Sequence, residues 1–488
     1  MKKYKLEITV FLCGALSMVL ELIASRILSP YVGSSNLVWT VIIGIMLTSM
    51  SLGYWLGGRV ADKNKENDIY ILAKHLLIAA IATSCISILE TVFVNVLAEY
   101  INQLIIVSLI SATVLFGIPS FLLASISPIA VKLKNNGQNN IGTTSGKISS
   151  LSTIGSIFGT FFAGFVLIPH LGVKSIILGC SVLLWILSLI LAENKNKKYY
   201  ICMVVELIVI IGLNLLGSIL FKNSNPDIIR DEDSEYSRIW VKEVQTATNK
   251  YKTLQVDTGL ESYINQETGE MGAQYLQYFD LFDYYNKNAK NTLIIGGAAY
   301  TYPMHYLKKF QDKKIDVVEI DGKMTQIAQE EFGLDTSNPN LTIYTRDGRS
   351  FLNYNDKKYD AILIDAFKGL NVPFELTTYE AMKKAYQSLN DGGIVIANII
   401  SSLEGKESDF IKYEFSTYKA IFDDVKLYKV NPNKKDDESQ NLILVGFKGE
   451  KNINTGTTAQ YQTLLNQEVL NYNSDKRIIT DDYCPIGD

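Results

Sequence analysis

The stretch NTLIIGGAAYTYP, Asn291 to Pro303, decides how the second half of this chain is read. A run of β-formers, Thr292 to Ile295, drops into Gly296-Gly297, and a helix-like stretch follows. A strand that passes through a double glycine into a helix opens a nucleotide-binding loop, because glycine lets backbone come close to a ligand. The dinucleotide form of that loop fits poorly. Ala298 and Thr301 stand where its second and third glycines belong.

Downstream, strand and helix patterns alternate: KIDVVEID then Lys323–Glu331, LTIYTRD, YDAILIDAF then Tyr379–Leu389, and GGIVIANII then Asp409–Ile421. Such near-continuous apolar runs suit parallel strands covered on both faces. DVKLYKV and NLILVGF have no helix between them and predict a hairpin, giving a doubly wound α/β sheet with an antiparallel edge. Ligands of such sheets sit at the carboxyl ends of the strands. Glu319 ends the second strand, Asp347 the third and Asp365 the fourth. One acid there can simply cap the next helix. Three at successive ends behind a double glycine point to a nucleoside site, with Gly296 and Gly297 near the ligand and Glu319 accepting both ribose hydroxyls.

Upstream the character changes. The chain has 488 residues and a formal charge of −4, with a mean hydropathy of +0.12, and its apolar residues crowd into the first 220 positions. That balance excludes the basic footprint of a nucleic-acid binder. Seven apolar runs are membrane-span candidates: Leu6–Ile27, Leu37–Gly57, Ile71–Leu89, Ile101–Leu123, Ser150–Ile168, Val173–Leu191 and Tyr199–Leu220. The lipid bilayer is therefore an expected partner. Lys2, Lys3 and Lys5, then Arg59, Lys63 and Lys65, then Lys132, Lys134 and Lys147, then Lys195, Lys197 and Lys198 fall in alternate loops. This charge pattern predicts a cytoplasmic N-terminus, and seven spans then put the C-terminal half outside. Gly53 with Gly57, and Gly155 with Gly159, have the spacing that lets helix backbones approach. The five cysteines and three histidines show no metal spacing, so no metal is expected. The polar run KNSNPDIIRDEDSEYSR reads as a solvated linker, and RIWVKEVQT and YKTLQVD as a small antiparallel sheet. The expected domains are 1–221 (helical membrane domain), 222–236 (linker), 237–290 (small sheet) and 291–488 (nucleoside-binding domain).

The segment from about Ser237 to Phe447 resembles the spermidine synthases, the polyamine aminopropyltransferases. LIIGGAAY, VVEID, DGRSFL, YDAILIDAF and VPFELTTYEAM carry the match in order. GALSMVLELIASRILSPYVGSS and TDDYCPIGD fit the membrane-fused branch of that family. The resemblance implies a multi-pass α-helical membrane domain, then an α/β Rossmann-like domain of class I methyltransferase type with a small N-terminal antiparallel β-sheet. It implies an S-adenosyl co-substrate, decarboxylated S-adenosylmethionine or S-adenosylmethionine itself, a small-molecule amine acceptor and release of methylthioadenosine; a homodimer is compatible with it.

Carried over by position, the resemblance has Glu319 bind the ribose, Asp347 the adenine amino group, and Asp365 act as the base. Tyr275 falls where the family places a substrate-gating tyrosine. Two positions depart. Ala299 replaces the acid that holds the aminopropyl amine, and Lys368 replaces the acid that grips the diamine. A positive charge facing a diammonium costs on the order of 2–5 kcal/mol of specificity. Asp481 and Asp482 are the acids that would supply the missing charge if Lys368 turns to solvent. Two other readings follow from the departures: a methyltransferase or lyase using S-adenosylmethionine, or a nucleoside-binding domain that governs transport through the membrane half. Loop charges favour an outside synthase-like domain, whereas a donor made in the cytosol favours the inside.

Overall fold

A computed structural model describes residues 4–33, 35–63, 69–101, 103–135, 140–192, 197–366 and 373–485. The chain divides into two compact units, Met1–Trp240 and Val241–Asp488.

The first unit holds, among its described residues, seven helices long and apolar enough to cross a membrane. They are α1 (Lys5–Val32), α2 (Asn36–Lys63), α3 (Tyr70–Ala98), α4 (Leu104–Asn135), α5 (Ile141–His170), α6 (Val173–Leu191) and α7 (Ile201–Ser224). The fourth candidate span lies in one helix, since α4 runs through Pro119 and Pro128 without a break. The small-residue spacing is used for close packing. A Cβ on Gly53 would lie 2.3 Å from the Phe121 carbonyl oxygen of α4, and one on Gly159 would lie 2.3 Å from the Ala15 carbonyl oxygen of α1.

Within the stretch expected as a linker, 222–236, residues Ile228–Asp233 form strand β1, followed by β2 (Arg238–Gln245). Asp231 of this run is partnered rather than solvated. Arg238 donates from Nη1 to Glu90 Oε1 at 2.6 Å, and from Nε and Nη2 to the two oxygens of Asp231 at 2.8 and 3.0 Å. Trp240 Nε1 also donates to Asp231, and Lys174 lies 3.3 Å from it. Burial raises the Asp231 carboxyl, but the Arg238 guanidinium more than offsets this and holds it at about 2. Arg238 and Glu90 are 4% and 1% exposed, so removing Arg238 leaves the Glu90 charge buried without its guanidinium, a loss of about 3–5 kcal/mol. The first compact unit runs to Trp240.

In the second unit the small antiparallel sheet is present as β3 (Lys250–Val256) paired with β4 (Gly259–Asn265). A seven-stranded sheet follows, built from β5 (Asn291–Ile295), β6 (Lys314–Glu319), β7 (Leu341–Thr345), β8 (Tyr359–Ile364), β9 (Leu389–Ser401), β10 (Asp424–Lys429) and β11 (Gln440–Phe447). Their order is β10-β11-β9-β8-β5-β6-β7. Strands β5 to β9 pair in parallel. The late hairpin is antiparallel as expected, with β11 inserted between β9 and β10. Side chains alternate between two cores: Ile294, Val317 and Leu363 pack on one face, and Leu293, Val318 and Ile362 on the other. The chain winds from β5 through β6 to β7, then returns to β8 on the opposite side of β5. That reversal opens a crevice at the carboxyl ends of β5 and β8. Ile295 is level with Val318 and with Ile364, so three strand ends meet there.

Candidate active site

The double glycine sits in this crevice. Gly296 has φ +100°, and a Cβ on it would lie 2.2 Å from the Asp365 carbonyl oxygen. Its N–H donates to Val318 O at 2.9 Å, and the Asp365 N–H donates to Ile295 O at 2.9 Å. Only glycine fits between these strands. Ala298 (φ +45°) and Tyr300 (φ +56°) are also left-handed, a region costing roughly 1–3 kcal/mol for such residues. Two anchors hold the strained loop. The buried Tyr300 hydroxyl pairs with Thr325 Oγ1 at 2.7 Å. Glu319 Oε2 accepts from the N–H groups of Gly297 and Ala298 at 2.8 and 3.1 Å, and Oε1 accepts from Asp321 N–H at 2.9 Å.

This arrangement narrows the expectation for Glu319. A carboxylate offers about four acceptor positions, and three are taken by backbone, which leaves about one for a ligand hydroxyl instead of two. Burial raises the Glu319 carboxyl, and the three amides oppose the rise.

Asp365, just past β8, has both oxygens engaged. Tyr275 Oη donates to Oδ2 at 2.9 Å, and Asn398 Nδ2 donates to Oδ1 at 3.1 Å. Asn398 Oδ1 in turn accepts from Asn441 Nδ2 at 2.9 Å. Burial pushes the Asp365 carboxyl up to about 6, against the pull of Asn398 and Tyr275, which favour the ionised form. The Tyr275 hydroxyl is driven well above its ordinary range by burial and then by Asp365, so it stays a donor. These side chains line a cavity of about 380 Å³, with Ala298 of the glycine loop in the same wall. A half-buried carboxylate poised near neutrality beside a cavity has the properties of a general base.

Sequence reasoning had Asp365 and Tyr275 but missed Asn398 and Asn441. The local signal for Asn398 is a single amide in the apolar run IVIANII; Asn441 follows only from the pairing of β9 with β11.

The other expected residues lie elsewhere. Asp347 is exposed and caps helix α8 (Gly348–Tyr354), with Oδ1 accepting from Ser350 N–H at 2.7 Å. Asp481 is bound to Arg349 Nη2 and Thr378 Oγ1, both at 2.6 Å. It therefore pins the tail to α8 and to the start of α9 (Tyr379–Ser388). Asp482 is exposed, and neither of these two acids lines the Asp365 cavity. Lys368 lies outside the described residues. Ala299 is fully buried, and its N–H donates to Ser262 Oγ at 3.4 Å. Among the described residues no three His, Cys, Asp or Glu side chains gather as a metal site requires.

Residues 279–431 match the family described as the spermine/spermidine synthase domain. Over that segment the chain is similar to the spermine/spermidine synthase family. The match contains Gly296, Gly297, Glu319, Asp365 and Asn398, whereas Tyr275 and Asn441 fall outside it. A polyamine aminopropyltransferase of Vibrio vulnificus is 30% identical over 149 residues, which is 30% of this chain and 48% of that protein. The chain thus spans about half the length of that relative. Polyamine aminopropyltransferase 2 of Aquifex aeolicus is 22% identical over 377 residues, 74% of this chain and 71% of that one. That alignment is longer than the C-terminal unit, so it extends into the helical half. The spermidine synthase structure from Thermotoga maritima is 16% identical with a TM-score of 0.37, covering 52% of this chain and 82% of that one.

Proposed function

We propose that the synthase domain transfers an aminopropyl group from decarboxylated S-adenosylmethionine to an amine and releases methylthioadenosine. The observation that carries this reading is the Asp365 carboxylate, clamped between Tyr275 and Asn398 in a cavity that shares a wall with the glycine loop. The acceptor arrives as an ammonium and gives one proton to Asp365. Its nitrogen lone pair then attacks the carbon beside the sulfonium. A C–N bond forms, the C–S bond breaks, and sulfur takes the electron pair to become a neutral thioether. The sulfonium is already a good leaving group, so deprotonation and alignment are what the protein contributes. In this reading Gly296, Gly297 and Glu319 hold the ribose end, and the second oxygen of Asp347 accepts from the adenine amino group.

One observation favours a second reading. Ala299 is buried against Ser262 where an acid would hold the aminopropyl amine, which suits intact S-adenosylmethionine as a methyl donor or lyase substrate.

The full chain, incubated with either donor and an amine, separates these readings by mass spectrometry. Methylthioadenosine together with an aminopropylated amine is expected. S-adenosylhomocysteine means methyl transfer, methylthioadenosine without an aminopropylated amine means a lyase, and no product removes the transferase assignment. Asp365→Asn should keep methylthioadenosine binding and lose about 10²–10⁴ in turnover.

The apolar helices support residence in a lipid bilayer with a cytoplasmic N-terminus. The basic loops, counted over seven spans, favour an outside synthase domain. Protease added to intact cells should then cut it; protection from the protease would reverse the placement.

A further inference from the structure

We propose that the acceptor taken beside Asp365 is a primary amine whose far end is a carboxylate, not a diamine. This rests on the transferase reading above and names the acceptor class for the same cavity.

Among the described residues the cavity carries three charged side chains, Glu261, Asp365 and Lys434. Lys434 belongs to the turn between β10 and β11, beyond the residues matched by the family. It is half-buried, and its Nζ donates to Ser439 O at 2.7 Å, with no other partner for that ammonium among the described residues. An ammonium has three donors, so two remain to be used. The turn is well anchored: Lys434 O accepts from Lys429 Nζ at 2.9 Å, and Asn431 N–H donates to Gln440 Oε1 at 2.9 Å. Around Lys434 the wall is made of the amides of Asn431, Gln440 and Asn441, which offer hydrogen bonds without charge.

The charges decide between acceptors. The described lining supplies two carboxylates and one ammonium, and Asp365 takes one cationic end of an acceptor. A diamine brings two, and a sulfonium donor adds another beside it. A distal ammonium would share a partly desolvated space with the Lys434 ammonium and be repelled. A distal carboxylate in the same place accepts from Lys434 and from the amides, in charge-assisted bonds. Ala299 acts in the same direction, because no acid stands there to absorb extra positive charge.

The test uses three amines of equal length that differ only at the far end: putrescine, 4-amino-1-butanol and 4-aminobutanoate. Their binding to the full chain saturated with methylthioadenosine is measured by calorimetry. 4-Aminobutanoate should bind about tenfold or more tighter than putrescine, with the alcohol between them. Lys434→Gln should erase the difference and Lys434→Glu should reverse it. Putrescine or the alcohol binding tightest, no binding of any of the three, or an order that neither substitution changes, overturns the proposal. Methylthioadenosine release from decarboxylated donor is followed separately. The expected binding order without any release leaves the acceptor class standing and removes the transferase reading; release fastest with putrescine overturns the acceptor class alone.

Discussion

Asn398 donates its Nδ2 to Asp365 Oδ1 at 3.1 Å, while Tyr275 takes the other oxygen at 2.9 Å. Both hydrogen bonds favour the ionised carboxylate and oppose burial, and the balance leaves it at about 6. A base works only when ionised, so kcat/KM should rise with pH through a limb near 6. Asn398→Leu removes one bond to the charged form and should move that limb to higher pH. The variant should be several-fold slower at pH 6.5 and nearly restored at pH 8.5. A limb that stays in place would remove Asn398 as a positioning residue for Asp365.

Glu319 spends three acceptor positions on the loop that carries Gly297 and Ala298. In Glu319→Gln an amide NH₂ replaces one oxygen and leaves at least one of these N–H groups without its acceptor. Calorimetry with methylthioadenosine should show a loss of roughly 2–4 kcal/mol in binding. Unchanged affinity would mean that the loop is not part of the nucleoside site.

Gly296 couples stability to the base. Alanine there needs φ near +100° and puts its Cβ 2.2 Å from the Asp365 carbonyl oxygen. Gly296→Ala should cost roughly 1–3 kcal/mol in backbone strain alone and displace Asp365. Melting temperature and kcat should therefore fall together. A drop in melting temperature with unchanged kcat would show that the contact is structural only.

Glu414, in helix α10 (Asp409–Lys419), faces the core beside Thr377. Its Oε1 has no hydrogen-bond partner among the described residues. Burial lifts its carboxyl well above the ordinary value, against the Thr377 hydrogen bond. The folded form therefore keeps a proton that the unfolded chain releases above about pH 4.3. Stability from this group is full below that pH and is lost as pH rises toward the folded value, by up to about 1.4 kcal/mol per unit. Glu414→Gln should flatten the decline, melting higher than the parent at pH 8 and close to it at pH 4. Parallel melting curves for the two proteins across this range would contradict the assignment.

Periodicity and composition alone determined much of this protein. The apolar runs set seven helices, because a run of that length and polarity has few other stable forms. The alternating runs after Asn291 set a parallel sheet, and the double glycine with Glu319 and Asp365 marked the carboxyl ends of its strands, where sheets of this kind bind ligands. Those signals are local, each legible within about twenty residues. What the sequence left open depended on partners far along the chain. Ile228–Asp233 looked like a solvated linker because Glu90 and Lys174, which surround Arg238 and Asp231, lie 148 and 57 positions away from them. Asp347 and Asp365 looked equivalent at their strand ends. Tertiary structure made the first a helix cap and enclosed the second beneath Tyr275, whose partner is 90 positions distant. The fold also decided that Glu319 grips its own loop, since which acceptor positions remain for a ligand depends on how the backbone closes around them. A residue type fixes what a group can do chemically; only the packed chain fixes which neighbours it desolvates, pairs with or leaves open.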